Sequence, residues 1–123
     1  MIGWPSRAQP SADRGKAAEA AAEELRQALA DALPSVRVVA AQTLAQFGGD
    51  ADLQPALKVL LKLADLHQNG IYTSMAALNA LDALGAKAAS VKDAVKSLPT
   101  SDASITARMS EYIPRLVEHI CDR

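Results

Sequence analysis

The segment of residues 75–85 constrains the fold most. Its pattern predicts an apolar helix in which alanine occupies most of the remaining positions. Met75, Leu78 and Leu81 follow helical spacing, and alanines fill the other sides. Small side chains on several sides allow neighbouring helices to approach from more than one direction. We therefore expect this helix at the centre of a stack. We expect it to end at Gly85, because glycine takes the left-handed conformation of a helix C-terminus without steric cost.

Composition limits the chain to a single helical domain. Its 123 residues are 50% hydrophobic but only 3% aromatic, and about a fifth are alanine, the strongest helix former. Alternating runs of β-branched residues, which would indicate strands, do not occur in the sequence. We predict an all-α domain over residues 11–123. Before it we expect an extended arm, residues 1–10, in which Pro5 and Pro10 disfavour helix.

Turn and capping residues divide the first half of this domain into three helical segments. We expect Ser11 to cap the first, which Pro34 ends, and Ser35 to cap the second. Asp50 should cap the third, which is followed by turn residues at positions 67–70.

Three further helical segments are expected in the second half. The fourth should run from about Ile71 to Leu84, and Ser90 with Asp93 resembles a capping box for the fifth. Pro114 lies inside the last segment. A proline removes a helical hydrogen bond, so we expect either a kink or a fresh helix start near Ile113.

The second segment carries a complete apolar stripe, with hydrophobic residues at every turn of a helix. We expect the whole stripe to be buried. Its members are Val36, Val39, Ala40, Thr43, Leu44 and Phe47.

A repeat relates the second and fourth segments. Leu44 aligns with Leu81 and Gly48 with Gly85, at an offset of 37 residues. A repeat of this length with two helices per unit is typical of an α-solenoid. We predict three antiparallel helix pairs in a short right-handed α-α superhelix, whose last pair diverges as terminal repeats often do. The pairs span about residues 11–48, 50–85 and 86–122.

The segment of residues 31–41 resembles the centre of a HEAT repeat, an armadillo-like unit. In that family an aspartate in the inter-helix turn precedes Val-Arg at the start of the second helix, and the two charges form a ladder between neighbouring repeats. Asp31 and Arg37 match this pattern. The turn of the second repeat, residues 67–70, departs from it, so the ladder cannot be continuous.

Three shorter segments are similar to the helical C-terminal extension of bacterial sulfatases, and the likeness covers about residues 20–120. In those enzymes a separate domain performs the chemistry, through a modified cysteine or serine in a Cys/Ser-x-Pro/Ala-x-Arg motif. The chain lacks this motif, so the resemblance implies a non-catalytic part. The similar segments are residues 76–88, 96–99 and 112–116.

The sequence offers no convincing catalytic or metal-binding constellation. Cys121, the only cysteine, has no partner for an internal disulfide, and at a spacing of two residues His119 points to a different side of the helix. His67 lacks acidic or cysteine partners at ligand spacing. The pair Gly48-Gly49 is better explained as a helix stop than as a phosphate loop. We expect no enzyme activity, no cofactor and no metal.

Charge and hydropathy exclude several classes of partner. The net charge is −1, which argues against broad capture of nucleic acid, and no apolar run is long enough to span a membrane. The N-terminus lacks the features of a signal peptide. The chain as written would be cytoplasmic, or periplasmic if it belongs to an exported sulfatase. We expect five lysines to form a solvated strip: Lys58, Lys62, Lys87, Lys92 and Lys96.

The leading hypothesis is therefore a non-enzymatic module for protein–protein interaction or structural support. The alternatives are an accessory part of a sulfatase-like hydrolase, and a bilin-lyase-like HEAT protein with a reactive pocket. Trp4 either pins the arm onto the domain's own surface or contacts another chain, which leaves a homodimer open. The candidate contact residues are Trp4, Arg37, Gln42, Gln46, Thr73, Asn79, Asp82, Arg108, Glu111 and Arg115.

Overall fold

The computed structural model describes residues 11–101 and 111–122, with side chains from Glu19 onward. Within these ranges the chain is helical and contains no strand, so the predicted all-α class is confirmed. The predicted arm, residues 1–10 with Trp4, and the candidate contact residue Arg108 lie outside the described residues.

α4 has neighbours on several sides, as the alanine-rich segment predicts. α4 packs against α2, α3, α6 and the 3-10 segment, whereas α2 packs against α1, α3 and α4, and α5 packs against α6. In the described ranges the elements are α1 (Ser11–Ala28), α2 (Pro34–Phe47), α3 (Asp50–Leu63), α4 (Leu66–Leu84), a 3-10 segment (Gly85–Val91), α5 (Lys92–Lys96) and α6 (Tyr112–Cys121).

One core of leucine and alanine joins these helices. Leu44 of α2, Leu57 of α3 and Leu81 of α4 are all buried in it, and Ile113 and Ile120 of α6 close its far side. Burying one such side chain stabilises the fold by about 1.5–3 kcal/mol. The two leucines that the repeat aligns, Leu44 in α2 and Leu81 in α4, are therefore both part of the core.

At the start of two helices, the N-cap residue is not the one predicted. α1 ends at Ala28, and Pro34 is the first residue of α2, where its missing N–H has no helical partner to lose. Ser35 therefore lies inside the first turn and does not cap it. Gly49 is the N-cap of α3, so Asp50 also lies one residue inside its helix. There its charge faces the positive end of the helix dipole.

α4 begins one turn earlier than predicted. The Asp65 carboxylate accepts hydrogen bonds from the backbone N–H groups of His67 and Gln68, and so caps a single helical turn. Gly70 interrupts the helix with a φ of 82° before it continues from Ile71. The predicted break is confirmed at this glycine, and the turn before it is helical because Asp65 caps it.

The expected capping box of the fifth helix does not form. α5 is only five residues long and its N-cap, Val91, makes no side-chain hydrogen bond to it. Ser90 lies in the preceding 3-10 segment, where its hydroxyl accepts a hydrogen bond of 3.3 Å from Gln54. In the described part of the last segment, α6 begins at Tyr112. Pro114 is therefore in its first turn, where backbone N–H groups have no helical partner.

Candidate functional site: an apolar groove between α1 and α2

Two of the six residues of the apolar stripe on α2 are exposed, so the prediction that the whole stripe is buried is wrong. Leu44 lies in the core, but Phe47 is 77% exposed and Val39 is 63% exposed. Val36 and Thr43, on the same side of the helix, are half-buried. α2 therefore presents a hydrophobic surface beside α1.

The rotation of α2 explains this exposure. The side of the helix that faces α3 and α4 buries Val38, Ala41 and Ala45. The two alanines are small and allow the neighbouring helices to approach closely. α2 is apolar on two sides, and its core neighbours cover only one of them.

The exposed residues line a groove between α1 and α2, which we call the α1–α2 groove. It contains two adjoining cavities that share Leu25. The Val39 cavity, of about 350 Å³, lies between Ala28 and Val36. The Phe47 cavity, of about 250 Å³, lies where Ala22 of α1 faces α2. From α1, Ala28 lines the first cavity and Ala21 and Ala22 line the second, and these small side chains leave the groove open.

The chemistry of the groove suits an apolar side chain. Ser35 and Thr43 are the polar side chains among its described lining residues, and the Thr43 hydroxyl already donates a hydrogen bond of 2.8 Å to the Val39 carbonyl. No lining residue described here is titratable. The groove therefore provides hydrophobic contact area, without the convergent polar groups that fix a small-molecule ligand.

Two of the predicted contact residues lie on α2, but neither lines the groove. Gln46 is exposed and Gln42 is half-buried. On α4, Asn79 is exposed and Thr73 is half-buried.

Three other predicted contact residues, Asp82, Glu111 and Arg115, make contacts within the domain. His119 Nδ1 of α6 lies 2.6 Å from Asp82 Oδ1 of α4. Arg115 donates a hydrogen bond of 3.0 Å to the Glu111 carboxylate one turn earlier. The first contact joins α6 to α4, and the second lies at the start of α6.

Asp31 and Arg37, the two residues that match the charge ladder of HEAT repeats, have different surroundings in the described part of the chain. Asp31 Oδ1 accepts a hydrogen bond of 2.9 Å from the backbone N–H of Leu33, which stabilises the turn between α1 and α2. Arg37 Nε is buried without a hydrogen-bond partner in the described part of the chain.

An ion-pair network that the sequence does not reveal fixes α1 to α3. Arg26 Nε donates to Asp52 Oδ1 at 2.7 Å and Arg26 Nη2 donates to Asp52 Oδ2 at 3.1 Å, which is a bidentate pair. Arg26 Nη1 also donates to Glu19 at 2.9 Å and to Glu23 at 3.2 Å. The partners Arg26 and Asp52 are 26 residues apart, so no helical spacing marks them. The network holds one wall of the groove in place.

This network changes the proton affinity of both main partners. The hydrogen bond from Arg26 lowers the pKa of the Asp52 carboxyl below its ordinary value, against the opposing effect of burial. The hydrogen bond to Asp52 raises the pKa of Arg26, and those to Glu19 and Glu23 raise it further. Asp52 therefore stays ionised in the folded chain at a lower pH than in the unfolded chain.

Stability is expected to depend on pH through Asp52. Its pKa is depressed by folding, so its contribution is complete above the unfolded value of about 4 and is lost as pH falls through the folded value. We expect Asp52→Asn to be less stable than the natural chain between pH 5 and 7, by a constant difference. Below about pH 4 the difference should shrink. Urea unfolding of both chains across this range measures it, and a difference that grows on acidification would contradict the prediction.

Lys87 is exposed, but unlike a purely solvated lysine it also makes hydrogen bonds within the domain. Its Nζ donates hydrogen bonds of 2.5 Å to the Gln46 carbonyl and 3.4 Å to the Ala45 carbonyl. These carbonyls lie in the last turn of α2, where the helix dipole attracts a cation. Lys58, Lys62 and Lys96 are exposed.

A buried serine was also not predicted as a structural residue. Ser74 of α4 is buried and its hydroxyl donates a hydrogen bond of 2.7 Å to the Ala64 carbonyl at the end of α3. This bond satisfies a carbonyl that the helix leaves unpaired.

Among the described residues there is no group of three or more His, Cys, Asp or Glu side chains that could hold a metal ion. His67 Nε2 lies 2.9 Å from the Ser101 carbonyl, and the Cys121 thiol donates to the Lys92 carbonyl at 3.7 Å. In the same part of the chain, none of the helices has the length and hydropathy needed to cross a bilayer.

Comparison with known protein families, curated protein sequences and solved structures finds no match to this chain. Its function is therefore interpreted from the geometry of the groove and of the helices that form it.

Proposed function

We propose that the chain is a non-catalytic, HEAT-like helical-repeat module that binds a protein partner through the α1–α2 groove. The exposure of Phe47 and Val39 beside the two cavities carries this proposal. Contiguous apolar patches on a protein surface commonly mark an interaction site, whereas single exposed hydrophobic residues need no explanation. Aromatic residues are also enriched among the side chains that contribute most to protein–protein binding.

The packing of the helices supports the solenoid part of the proposal. α2 contacts α4 and α4 contacts α6, which is the contact order of the second helices of three stacked pairs. Arg26 and Asp52 join the first helices of two successive pairs. Among the described residues no further pair stacks on α1 and α2. In a solenoid the outward face of such a pair is polar when it meets water, and here it is apolar.

The partner that fits this surface presents apolar side chains on a helix or a turn. The groove walls are two helices, and hydrophobic grooves of this kind accept residues spaced along one face of an amphipathic helix. The resemblance to sulfatase extensions makes the catalytic domain of a sulfatase-like hydrolase one partner of this kind.

Photo-crosslinking from the groove tests the proposal. A photoreactive amino acid at position 39 is expected to give a protein adduct of defined mass, and Phe47→Ser should reduce its yield at least about tenfold, as loss of an aromatic anchor does. The same amino acid in place of Lys58, which is exposed on α3, is the matched control. Equal adducts from positions 39 and 58, or none from position 39, would contradict the proposal.

A further inference from the structure

We infer that the partner of the α1–α2 groove is a cationic amphipathic helix, which places apolar side chains in the two cavities and lysine or arginine side chains beside the carboxylates of α1. This inference rests on the proposed function, because it names the charge and the spacing of the partner that the groove binds. The distance between the cavities, the acidic charge of the helices around them and the position of Glu24 carry it.

The spacing of the two cavities fits contacts along one side of a helix. On α2, Val36 and Val39 line one cavity, and Thr43 and Phe47 line the other. Seven or eight residues separate these pairs, which is about 10–12 Å at 1.5 Å per residue. A partner helix that lies along the groove presents residues i and i+7 on one side, about 10 Å apart. One of these residues can therefore enter each cavity.

The part of the chain that forms the groove is strongly acidic. Residues 19–52, which comprise the described side chains of α1, all of α2 and the start of α3, contain six acidic and two basic residues. Their net charge is −4, whereas the whole chain carries −1. A positively charged partner would be attracted to this end of the domain, and the attraction would increase its rate of association.

Glu24 places one of these charges close to the groove. It is exposed on α1 and lies one helical turn from both Ala21 and Ala28, each of which lines one of the two cavities. It forms no ion pair with any side chain that the structure describes. A lysine or arginine of the partner, adjacent to an apolar residue in a cavity, would find its carboxylate accessible.

The ion-pair network brings further negative charge to the Phe47 cavity. Gly48 lines that cavity, and a Cβ atom there would lie 3.0 Å from Asp52 Oδ2. Asp52 shares Arg26 with Glu19 and Glu23, so one guanidinium group faces three carboxylates and the network remains negative. The Glu19 and Glu23 side chains are 71% and 59% exposed, and a cation of the partner can therefore reach them.

The same charge disfavours other occupants. A symmetric dimer through the groove would bring two surfaces of like sign together, which costs binding free energy. Nucleic acids and the anionic headgroups of lipids are negative as well, so the acidic helices would repel them. A cationic amphipathic helix matches both the apolar cavities and the charge around them.

Selection from a displayed peptide library tests the inference. Each peptide is a helix of about 18 residues, long enough to span both cavities, with leucine fixed at positions i, i+4 and i+7 and the other positions randomised. In the peptides selected on the full chain we expect lysine and arginine to be enriched over aspartate and glutamate by at least about threefold, the effect of one exposed ion pair on affinity.

Charge reversal on α1 tests the contact with Glu24. Glu24→Lys should weaken the selected peptide about three- to tenfold, because it replaces attraction with repulsion, and added salt should reduce this difference. Glu118→Lys is the matched control, since it makes the same change at an exposed position of α6, and affinity should stay within about twofold. Fluorescence anisotropy of the labelled peptide measures the affinities, and far-UV circular dichroism shows that each variant is folded.

Neutral or acidic selected peptides, an empty selection, or equal losses from Glu24→Lys and Glu118→Lys would overturn the inference. Peptide binding that Phe47→Ser leaves unchanged would also overturn it, because the peptide would then lie elsewhere. A dimer that Phe47→Ser dissociates would assign the groove to a second copy of the chain instead. The adduct from position 39 does not depend on the charge of these peptides, so the inference and the proposed function fail separately.

Discussion

Leu81→Ala is expected to lower the free energy of unfolding by about 2–5 kcal/mol, the range found when a buried leucine is truncated. Leu81 is fully buried on α4, which packs against α2, α3 and α6. Because α4 packs against several elements, the surrounding helices are not expected to close the cavity left by the substitution. Because small domains are stable by only about 5–15 kcal/mol, this single change removes a large part of the total.

Urea unfolding followed by far-UV circular dichroism measures this loss. Leu33→Ala is the matched control, because it removes the same atoms from a residue that is 60% exposed, and its effect should stay within about 0.5 kcal/mol. A loss below about 1 kcal/mol for Leu81→Ala would contradict a close-packed core around α4.

The central position of α4 could be predicted because it depends on local composition. Alanine on several sides of one helix has a clear physical meaning, since it permits more than one neighbour. Gly85 could also be identified as the helix end, and its φ of 58° confirms the expected positive value. Its ψ of −123° lies outside the left-handed helical region, in a conformation that is still open to glycine.

The orientation of α2 could not be predicted in the same way. Periodicity marked the stripe that includes Phe47, but Val38, Ala41 and Ala45 form a second apolar side. Which side is buried depends on where α3 and α4 pack, and this is not a local property of the helix. The groove forms because the side of α2 that carries Val39 and Phe47 is left exposed. The available sequence signal was the width of the apolar surface on α2, which exceeds what one core contact can cover.

Long-range polar contacts also could not be predicted from the sequence. The pair Arg26–Asp52 joins residues on different helices, and Lys87 reaches the end of α2 across 41 residues of sequence to Gln46. Each of these side chains is ordinary on its own helix. Only the packing of α1 and of the 3-10 segment against their neighbours brings the partners together.

Gly48→Ala is expected to destabilise the domain by about 1–3 kcal/mol, the range for inserting a methyl group into a close-packed site. A Cβ atom at this position would lie 2.5 Å from the Leu44 carbonyl oxygen and 3.0 Å from both Cβ and Oδ2 of Asp52. The carbonyl belongs to the backbone of α2 and cannot move without disturbing that helix. The second contact would push Asp52 away from Arg26, so part of the loss should be shared with Asp52→Asn in a double-mutant cycle.

Gly49→Ala is the matched control for this prediction. A Cβ atom there would have no heavy atom within 4 Å, and the φ of −79° is open to alanine. Alanine restricts the unfolded chain but is a poorer N-cap than glycine, and these opposing effects of about 0.5–1 kcal/mol should leave a small net change. Equal losses at positions 48 and 49 would contradict the steric explanation. Gly48 itself has a φ of −78°, so it is required for close approach, whereas Gly85, its counterpart in the repeat, is required for a positive φ.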